Sequence, residues 1–147
     1  AFLHNADGKL YLDRPHSLRL DAAYTAPFGL TLGFSGFLRS GAPKDQVGYF
    51  NSQYGTELLL VPRGSFGRLP TDYEINASLG YTLKILPVDV TLFLQGFNLI
   101  NRQTVIQVDN EYTQDIPGSP DEFYGSFDKA LARRAPRSMT FGARVSF

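Results

Sequence analysis

Five segments of the chain alternate apolar residues with small or polar ones at a period of two. They span residues 17–25, 30–39, 73–83, 88–98 and 137–147. In the last segment, small or polar residues separate Met139, Phe141, Ala143, Val145 and Phe147. A period of two over this length is typical of a β-strand with one apolar and one polar face. The sequence therefore predicts an all-β fold built on five antiparallel strands.

The two faces of these predicted strands differ in charge. The apolar face has 23 hydrophobic residues and two glycines among 25 positions, and no charged residue. A charge on the lipid-facing side of a membrane barrel costs roughly 2–4 kcal/mol at mid-bilayer, so its absence is expected of a sheet that faces lipid. The opposite face is predicted to line a lumen, toward a plug or a substrate path, with Arg19, Asp21, Arg39, Glu74, Asn76, Asp89, Gln95 and Arg144. The alternative is that these side chains only bind the plug or lumen water.

Three aromatic residues depart from a polar lumen face. Under the same alternation, Phe37, Phe93 and Phe97 fall on the polar side of their strands. Either they pack against a plug, or a β-bulge reverses the phase locally and turns them to the apolar side.

The connections between the strands alternate in length. Residues 26–29 and 84–87 form short turns, whereas residues 40–72 and 99–136 form predicted loops of 33 and 38 residues. Every long loop then lies on one side of the sheet, which is the asymmetry of outer-membrane barrels with short periplasmic turns and long extracellular loops. This places the C-terminus on the periplasmic side. Four aromatic residues fall near that boundary, where an aromatic girdle belongs: Tyr24, Phe28, Tyr81 and Phe147.

Five strands are too few to close a membrane barrel. Such barrels begin at eight strands, and an open sheet in lipid would leave unpaired edges. The chain is therefore expected to be the end of a larger barrel, with the other strands on the same polypeptide or on another fragment. A start at Ala1 is compatible with an engineered boundary, with proteolysis in an outer loop or with a split barrel.

Composition narrows the class of protein. The chain has 14 basic and 14 acidic residues, so nucleic-acid binding has no electrostatic support. It has no cysteine, and hence no disulfide framework and no thiolate chemistry. No run approaches the roughly 20 apolar residues of a transmembrane helix, and no signal peptide is evident.

Three segments resemble the C-terminal barrel of TonB-dependent outer-membrane receptors, in particular the Oar-like branch with a carboxypeptidase-regulatory-like domain. They are Gly-Arg-Leu-Pro-Thr-Asp-Tyr at 67–73, Phe-Asn-Leu-Ile-Asn-Arg at 97–102 and residues 134–142. The resemblance implies a barrel of about 22 strands around a plug that a periplasmic energy transducer contacts. It further implies that this plug is absent from the chain. It also implies that the barrel assembly machinery reads the final strand, through Met139, Phe141, Ala143, Val145 and Phe147.

Catalytic chemistry has little support in the sequence. His4 and His16 have no obvious partner, and no nucleophile elbow, phosphate loop or zinc spacing is present. We therefore predict no enzyme activity, no cofactor and no metal site. Two alternatives remain open for the acidic residues of the second loop. Either they bind a cation such as Ca²⁺ through their carboxylate oxygens, or they are solvated or paired with nearby arginines. These residues are Asp109, Glu111, Asp115, Asp121, Glu122 and Asp128. Loop aromatics either contact a ligand or join the two loops: Tyr49, Phe50, Tyr54, Phe66, Tyr112, Phe123, Tyr124 and Phe127.

Three functions remain open on these residues. The first is a structural part of an outer-membrane TonB-dependent transporter, whose partners would be the other strands, the plug, lipid, the assembly machinery and the transducer. The second is an outer-membrane barrel that anchors adhesive or assembly loops. The third is a soluble β-barrel or sandwich that binds a ligand, with the apolar face turned inward. The substrate and any partner on the cell surface are not indicated by the sequence.

Overall fold

The computed structural model describes residues 4–50, 56–85, 87–114, 122–123 and 125–147. These residues form strands, turns and irregular segments without a helix, so the all-β prediction is confirmed in this general form. Among the residues described, no helix is long and apolar enough to cross a membrane. The chain divides into two compact units. The strand unit comprises residues 16–39, 73–103 and 134–147, and the loop unit comprises residues 1–15, 40–72 and 104–133.

The strand unit is a five-stranded sheet with the order β1-β2-β5-β6-β11. Its strands are β1 (Ser17–Thr25), β2 (Leu30–Arg39), β5 (Asp72–Ile85), β6 (Val88–Phe97) and β11 (Ser138–Ser146). The pairs β1/β2, β5/β6 and β6/β11 are antiparallel. Turns as short as residues 26–29 can connect only neighbouring antiparallel strands. The sheet is open, with β1 and β11 at its two edges.

The strand register keeps one kind of side chain on each face. Leu18 pairs with Leu38, whereas Arg19 pairs with Phe37, and the β1/β2 register runs without a shift from Ser17 to Thr25. The β5/β6 and β6/β11 registers are also continuous. No bulge reverses the phase within these three described pairings, and the three phenylalanines lie on the polar face of the sheet.

Glycines make room for an aromatic ring on that polar face. Phe93 lies between Gly80 on β5 and Gly142 on β11 in the strand register. Its ring covers Gly142 so closely that a Cβ atom there would overlap it. A glycine opposite an aromatic residue lets the ring lie flat over the neighbouring backbone, which packs the polar face without a void.

The apolar face of the sheet is not covered by any other layer of the strand unit. On β1 every residue is exposed, with Leu18 at 65% and Leu20 at 60% of full exposure. Across the described residues, the buried hydrophobic side chains are only Ala26, Ala42, Val47 and Leu69. A water-soluble domain of this size normally buries its large apolar side chains in a core. Among the described residues of the strand unit, the sheet has an apolar face but no core behind it.

The loop unit contains short strands that the alternation pattern did not predict. One sheet has the order β4-β3-β8-β9, formed by β3 (Val47–Phe50), β4 (Thr56–Leu59), β8 (Glu111–Gln114) and β9 (Glu122–Phe123). A second pairs β7 (Val105–Val108) with β10 (Ala130–Arg133) in an irregular antiparallel register. The predicted long loops 40–72 and 99–136 therefore contain short strands. These strands have two to four residues, which is too short for a period of two to be visible.

The loop unit also departs from a purely antiparallel architecture. Strand β3 pairs with β8 in parallel, so the first long connection contacts the second directly. Parallel neighbours require a long intervening segment, and residues 51–110 supply it here. The two long connections are thus joined into one hydrogen-bonded sheet.

Candidate functional site

The eight polar residues predicted to face a lumen share one face of the sheet. The strand register pairs those on β1, β2, β6 and β11 with other positions of the polar set; Asp89, for example, faces Ser146, and Arg144 faces Thr91. They do not converge on one point, because they are spread over β1, β2, β5, β6 and β11. The face is therefore a polar surface and not an active-site cluster.

The most concentrated polar contacts on this face surround Phe37. The guanidinium carbons of Arg39 and Arg134 lie 5.1 and 4.9 Å from the centre of the Phe37 ring. Arg134 also places Nη1 3.8 Å from the Glu74 carboxylate, with both side chains about one fifth exposed, at 23% and 20%. Cation–π contacts of this kind hold a charged group over an aromatic ring. The sequence reading missed Arg134, because it precedes β11 and was assigned to the loop.

The remaining predicted residues have weaker surroundings. Arg19 Nε lies 2.7 Å from Asp21 Oδ2, but both side chains are more than half exposed, so the pair contributes little to stability. Asp89, Gln95 and Arg144 are exposed on the same face. These side chains are available to a partner or to water rather than committed to internal packing.

An asparagine corner follows β6 and fixes the ends of three strands. Asn98 is 4% exposed, and its side chain donates hydrogen bonds to the backbone carbonyls of Arg102 (3.1 Å) and Ala135 (2.7 Å). Its Oδ1 accepts from the Arg102 N–H at 3.1 Å. Its own backbone N–H donates to Asn76 Oδ1 at 2.8 Å. The corner therefore joins the end of β6 to the entry of β11 through the buried Asn98 side chain, and to β5 through the Asn98 backbone N–H.

A second asparagine completes the corner. Asn101 accepts a hydrogen bond from the Arg137 N–H at 3.0 Å, and its own N–H donates to the Asn98 carbonyl at 2.7 Å. Asn98 and Asn101 have φ values of 48° and 57°, in the left-handed region that asparagine tolerates better than most residues. The segment Phe-Asn-Leu-Ile-Asn-Arg thus has a structural role, which its asparagines could have signalled.

Arginine 102 connects the same corner to an aromatic ring. Its guanidinium carbon lies 4.5 Å from the centre of the Tyr73 ring, and its Nη1 donates to the Tyr73 hydroxyl at 2.9 Å. Tyr73 is on the apolar face at the start of β5. An amphipathic ring with an arginine over it is the arrangement expected at an interface between an apolar and a wet region.

The segment Gly-Arg-Leu-Pro-Thr-Asp-Tyr also has a structural explanation, inside the loop unit. Arg68 donates to the backbone carbonyls of Asp13 (2.8 Å) and Gly41 (3.1 Å) and pairs with the Asp13 carboxylate at 2.5 Å. The next residue, Leu69, is buried at 8% exposure, and its N–H donates to the Ala42 carbonyl. One guanidinium therefore holds residues near position 13 against the first long connection.

Aromatic side chains join the two long connections. Phe127 makes edge-on contacts at 5.0 Å with both Phe66 and Tyr112. Lys44 lies 5.1 Å from the Phe66 ring and pairs with Asp128 at 2.7 Å. Of the two roles considered for loop aromatics, these three therefore join the loops. The other five side chains, on Tyr49, Phe50, Tyr54, Phe123 and Tyr124, lie outside the described part of the chain.

The described part of the loop unit contains a cleft of about 750 Å³. Its walls come from the segment before β1, from β3 and β4, and from β7, β8 and β10. Carboxylates of Asp45, Asp109 and Glu111 line it together with Arg63 and several leucines. Clefts of roughly 300–1,000 Å³ are the size that binds small ligands. The sequence reading missed this site because its residues come from five separate segments.

No metal centre is evident in the part of the chain that the structure describes. No group of three or more His, Asp or Glu side chains there could hold an ion. Asp115 and Asp121 of the acidic loop, and the side chain of Glu122, lie outside the described residues. Asp128 of that loop is paired with Lys44, and Asp109 accepts a hydrogen bond from the Glu111 N–H at 3.0 Å.

The alternating residues of β11 lie at an edge of the sheet. Met139, Phe141 and Val145 are exposed by 64%, 73% and 58%, and Phe147 follows the strand fully exposed. Strand β11 pairs only with β6 in the sheet order, so its other edge has no strand neighbour among the described residues.

Comparison with known proteins gives one informative match. No protein-family model and no solved structure matches the chain. The chain is 29% identical over 181 aligned positions to the TonB-dependent transporter Oar of Myxococcus xanthus. This alignment includes 99% of the chain but spans only 17% of the length of that relative. The similarity thus relates the chain to a segment of a TonB-dependent transporter.

Proposed function

We propose that this chain is a structural part of the transmembrane β-barrel of an outer-membrane TonB-dependent transporter. In this proposal its five long strands belong to a barrel of about 22 strands, whose remaining strands and plug lie elsewhere. The observation that carries the proposal is the sheet with an uncovered apolar face and a continuous polar face. Similarity to a transporter agrees with a role in transport rather than catalysis.

Lipid is the occupant that fits the apolar face best. The exposed apolar side chains continue from strand to strand along one face of the sheet, through Leu20, Phe34, Leu79, Leu94 and Phe141. In water such a surface would drive association, whereas in a bilayer it is the solvated state. A soluble sandwich would need a second layer over this face, and the strand unit has none among its described residues.

The polar face is assigned to the lumen. In this arrangement the Phe37, Arg39, Glu74 and Arg134 cluster faces the plug or the substrate path, together with the other predicted polar residues. Polar lumens are normal for membrane barrels, and their charged side chains are tolerated because water or a plug solvates them. The partners are then the plug, the remaining strands, lipid and a periplasmic energy transducer that acts through the plug.

The orientation and assembly follow from the strand connections. The short turns at 26–29 and 84–87 would be periplasmic, and the loop unit would be extracellular. The final strand, with Met139, Phe141, Ala143, Val145 and Phe147, is assigned to recognition by the barrel assembly machinery. Its exposed apolar side chains and its unpaired edge support this assignment.

The proposal is tested by comparing boiled and unboiled outer-membrane extract on a blot with an antibody against the second long connection. A band whose mobility changes on boiling is expected, because folded membrane barrels resist the detergent until they are heated. A soluble protein with unchanged mobility would contradict the proposal and favour a soluble β-binder. Detection of the protein at the cell surface without any plug in the same complex would favour a barrel that anchors adhesive loops.

A further inference from the structure

Among the described residues of the loop unit, the cleft has an exposed apolar rim. The chain turns at Leu10, whose carbonyl accepts the Asp13 N–H at 2.8 Å. Leu10, Tyr11 and Leu12 are exposed by 61%, 51% and 79%, and Leu131 by 60%; all four line the cleft. Three successive large apolar residues exposed at one turn are costly in water unless a ligand or partner covers them.

The floor of the cleft is acidic. Three carboxylates, of Asp45, Asp109 and Glu111, line it against one guanidinium, of Arg63. Two of the carboxylates are held in place by backbone donors, since Asp45 accepts from the Gly64 N–H at 2.6 Å and Asp109 from the Glu111 N–H. Clefts lined mainly by one sign of charge concentrate ligands of the opposite sign.

Hydrogen bonds within the loop unit hold the walls of the cleft. Asn5 donates to the Leu59 carbonyl and accepts from the Arg63 N–H, both at 3.0 Å. Elsewhere in the lining the Val47 N–H donates to the Asn110 carbonyl at 2.9 Å, next to the parallel β3/β8 pair. A preformed site loses less conformational entropy on binding than one that must be ordered by its ligand.

From these features we propose that the cleft binds an amphipathic cation, a molecule with an apolar body and a protonated amine or guanidinium. The cationic group would lie at Asp109 and Glu111, and the apolar body would cover Leu10, Leu12 and Leu131. The charges and the exposed leucines carry this inference together, since neither an acidic floor nor an apolar rim alone selects such a ligand. The inference goes beyond the proposed barrel and does not require that the ligand be transported.

The test measures binding of two labelled peptides to the complete protein in zwitterionic lipid nanodiscs. Coumarin-labelled Leu-Arg-Leu-Arg is the cationic probe, and coumarin-labelled Leu-Glu-Leu-Glu is the matched anionic one. We expect saturable binding of the cationic probe by fluorescence anisotropy, and at least about tenfold weaker binding of the anionic probe. Raising the salt concentration should weaken binding of the cationic probe, because the charges of the cleft are partly exposed.

Two substitutions and one control locate the binding. Asp109→Asn keeps the oxygen that accepts the Glu111 N–H, and Glu111→Gln keeps the side-chain shape, so both remove charge with little change in packing. Each should weaken binding of the cationic probe by about fivefold. Asp7→Asn removes an exposed carboxylate of the same unit that does not line the cleft, and it should change the affinity by less than about twofold.

The outcomes separate this inference from the proposed function. Equal binding of the two peptides, or cationic binding unaffected by Asp109→Asn and Glu111→Gln, would overturn it. Each sample is also run boiled and unboiled. A protein that shows the mobility change of a barrel but no selective binding contradicts only the proposed binding at the cleft. Selective binding by a protein without that change contradicts only the proposed barrel.

Discussion

Replacing Asn98 should weaken the strand unit far more than its position at a strand end would suggest. The variant Asn98→Ala removes three side-chain hydrogen bonds from a residue that is 4% exposed. It leaves the carbonyls of Arg102 and Ala135 and the N–H of Arg102 without these partners. The alanine must also adopt a φ of 48°, which asparagine tolerates better.

The magnitude follows from those losses. A buried donor or acceptor without a partner costs about 1–3 kcal/mol. Some of the three groups can regain water, because Arg102 and Ala135 are exposed. We therefore expect Asn98→Ala to lower the free energy of unfolding by about 3 kcal/mol, near the lower end of the summed cost of the three unpaired groups.

Two matched variants separate the hydrogen bonds from the backbone conformation. Asn101→Ala occupies a similar left-handed position, with φ of 57°, but its side chain accepts only one hydrogen bond and the residue is exposed. It should cost about 1–2 kcal/mol. Asn98→Gly removes the same hydrogen bonds as Asn98→Ala without the conformational penalty, and it should be less destabilising by roughly 1 kcal/mol.

The assay is urea unfolding of the complete protein refolded into lipid vesicles, followed by the loss of the unboiled gel mobility. Binding to an antibody against a linear epitope controls for equal amounts of protein. If Asn98→Ala costs no more than Asn101→Ala, the corner is not held by the Asn98 side chain. The structural explanation of the Phe-Asn-Leu-Ile-Asn-Arg segment would then be wrong.

Three further substitutions test other parts of the structure. Leu94→Arg places a charge on the apolar face and should lower the free energy of unfolding in lipid vesicles by about 2–4 kcal/mol. Gln95→Arg, on the opposite face, should lower it by under about 0.5 kcal/mol. Similar urea midpoints for the two variants would contradict the face assignment. Gly142→Ala should lower the unfolding midpoint because its Cβ overlaps the Phe93 ring, and Phe93→Ala in the same chain should restore most of the loss. Arg68→Lys should expose the loop unit to limited proteolysis, because lysine has a single nitrogen in place of the two guanidinium nitrogens that reach these acceptors. Unchanged cleavage rates would show that the planar guanidinium is unimportant.

The long strands could be predicted from the sequence because a sheet with two different environments leaves a period of two. The predicted segments 17–25 and 30–39 have the bounds of β1 and β2, and the structure extends the third segment to Asp72–Ile85. The short strands of the loop unit produce no visible period of two, since their two to four residues show at most two alternations. Their parallel pairing depends on contacts distant in sequence, which no local pattern encodes.

The polar residues show the same difference between features that follow from local sequence and features that depend on distant contacts. Arg19 and Glu74 were assigned to one face from parity within their strands, and the lumen beside that face stays a prediction. The contact of Arg134 with Phe37 could not be derived, because it joins the entry of β11 to β2 across the sheet. The cleft was missed for the same reason, since its carboxylates lie on separate segments that meet only in the folded loop unit.

The segments that carry the resemblance to TonB-dependent receptors turn out to hold backbone rather than ligand. Arg68 binds carbonyls of the loop unit, and Asn98 binds carbonyls of the strand unit, so both side chains are occupied by the protein itself. Similarity through such residues is informative about architecture, because any chain with this fold must satisfy those carbonyls. It is uninformative about the substrate, because the Arg68 and Asn98 side chains are already occupied by backbone contacts. Differences in specificity among related proteins should therefore be sought at the cleft carboxylates and the exposed leucines of the loop unit, where side chains can change without disturbing either set of backbone contacts.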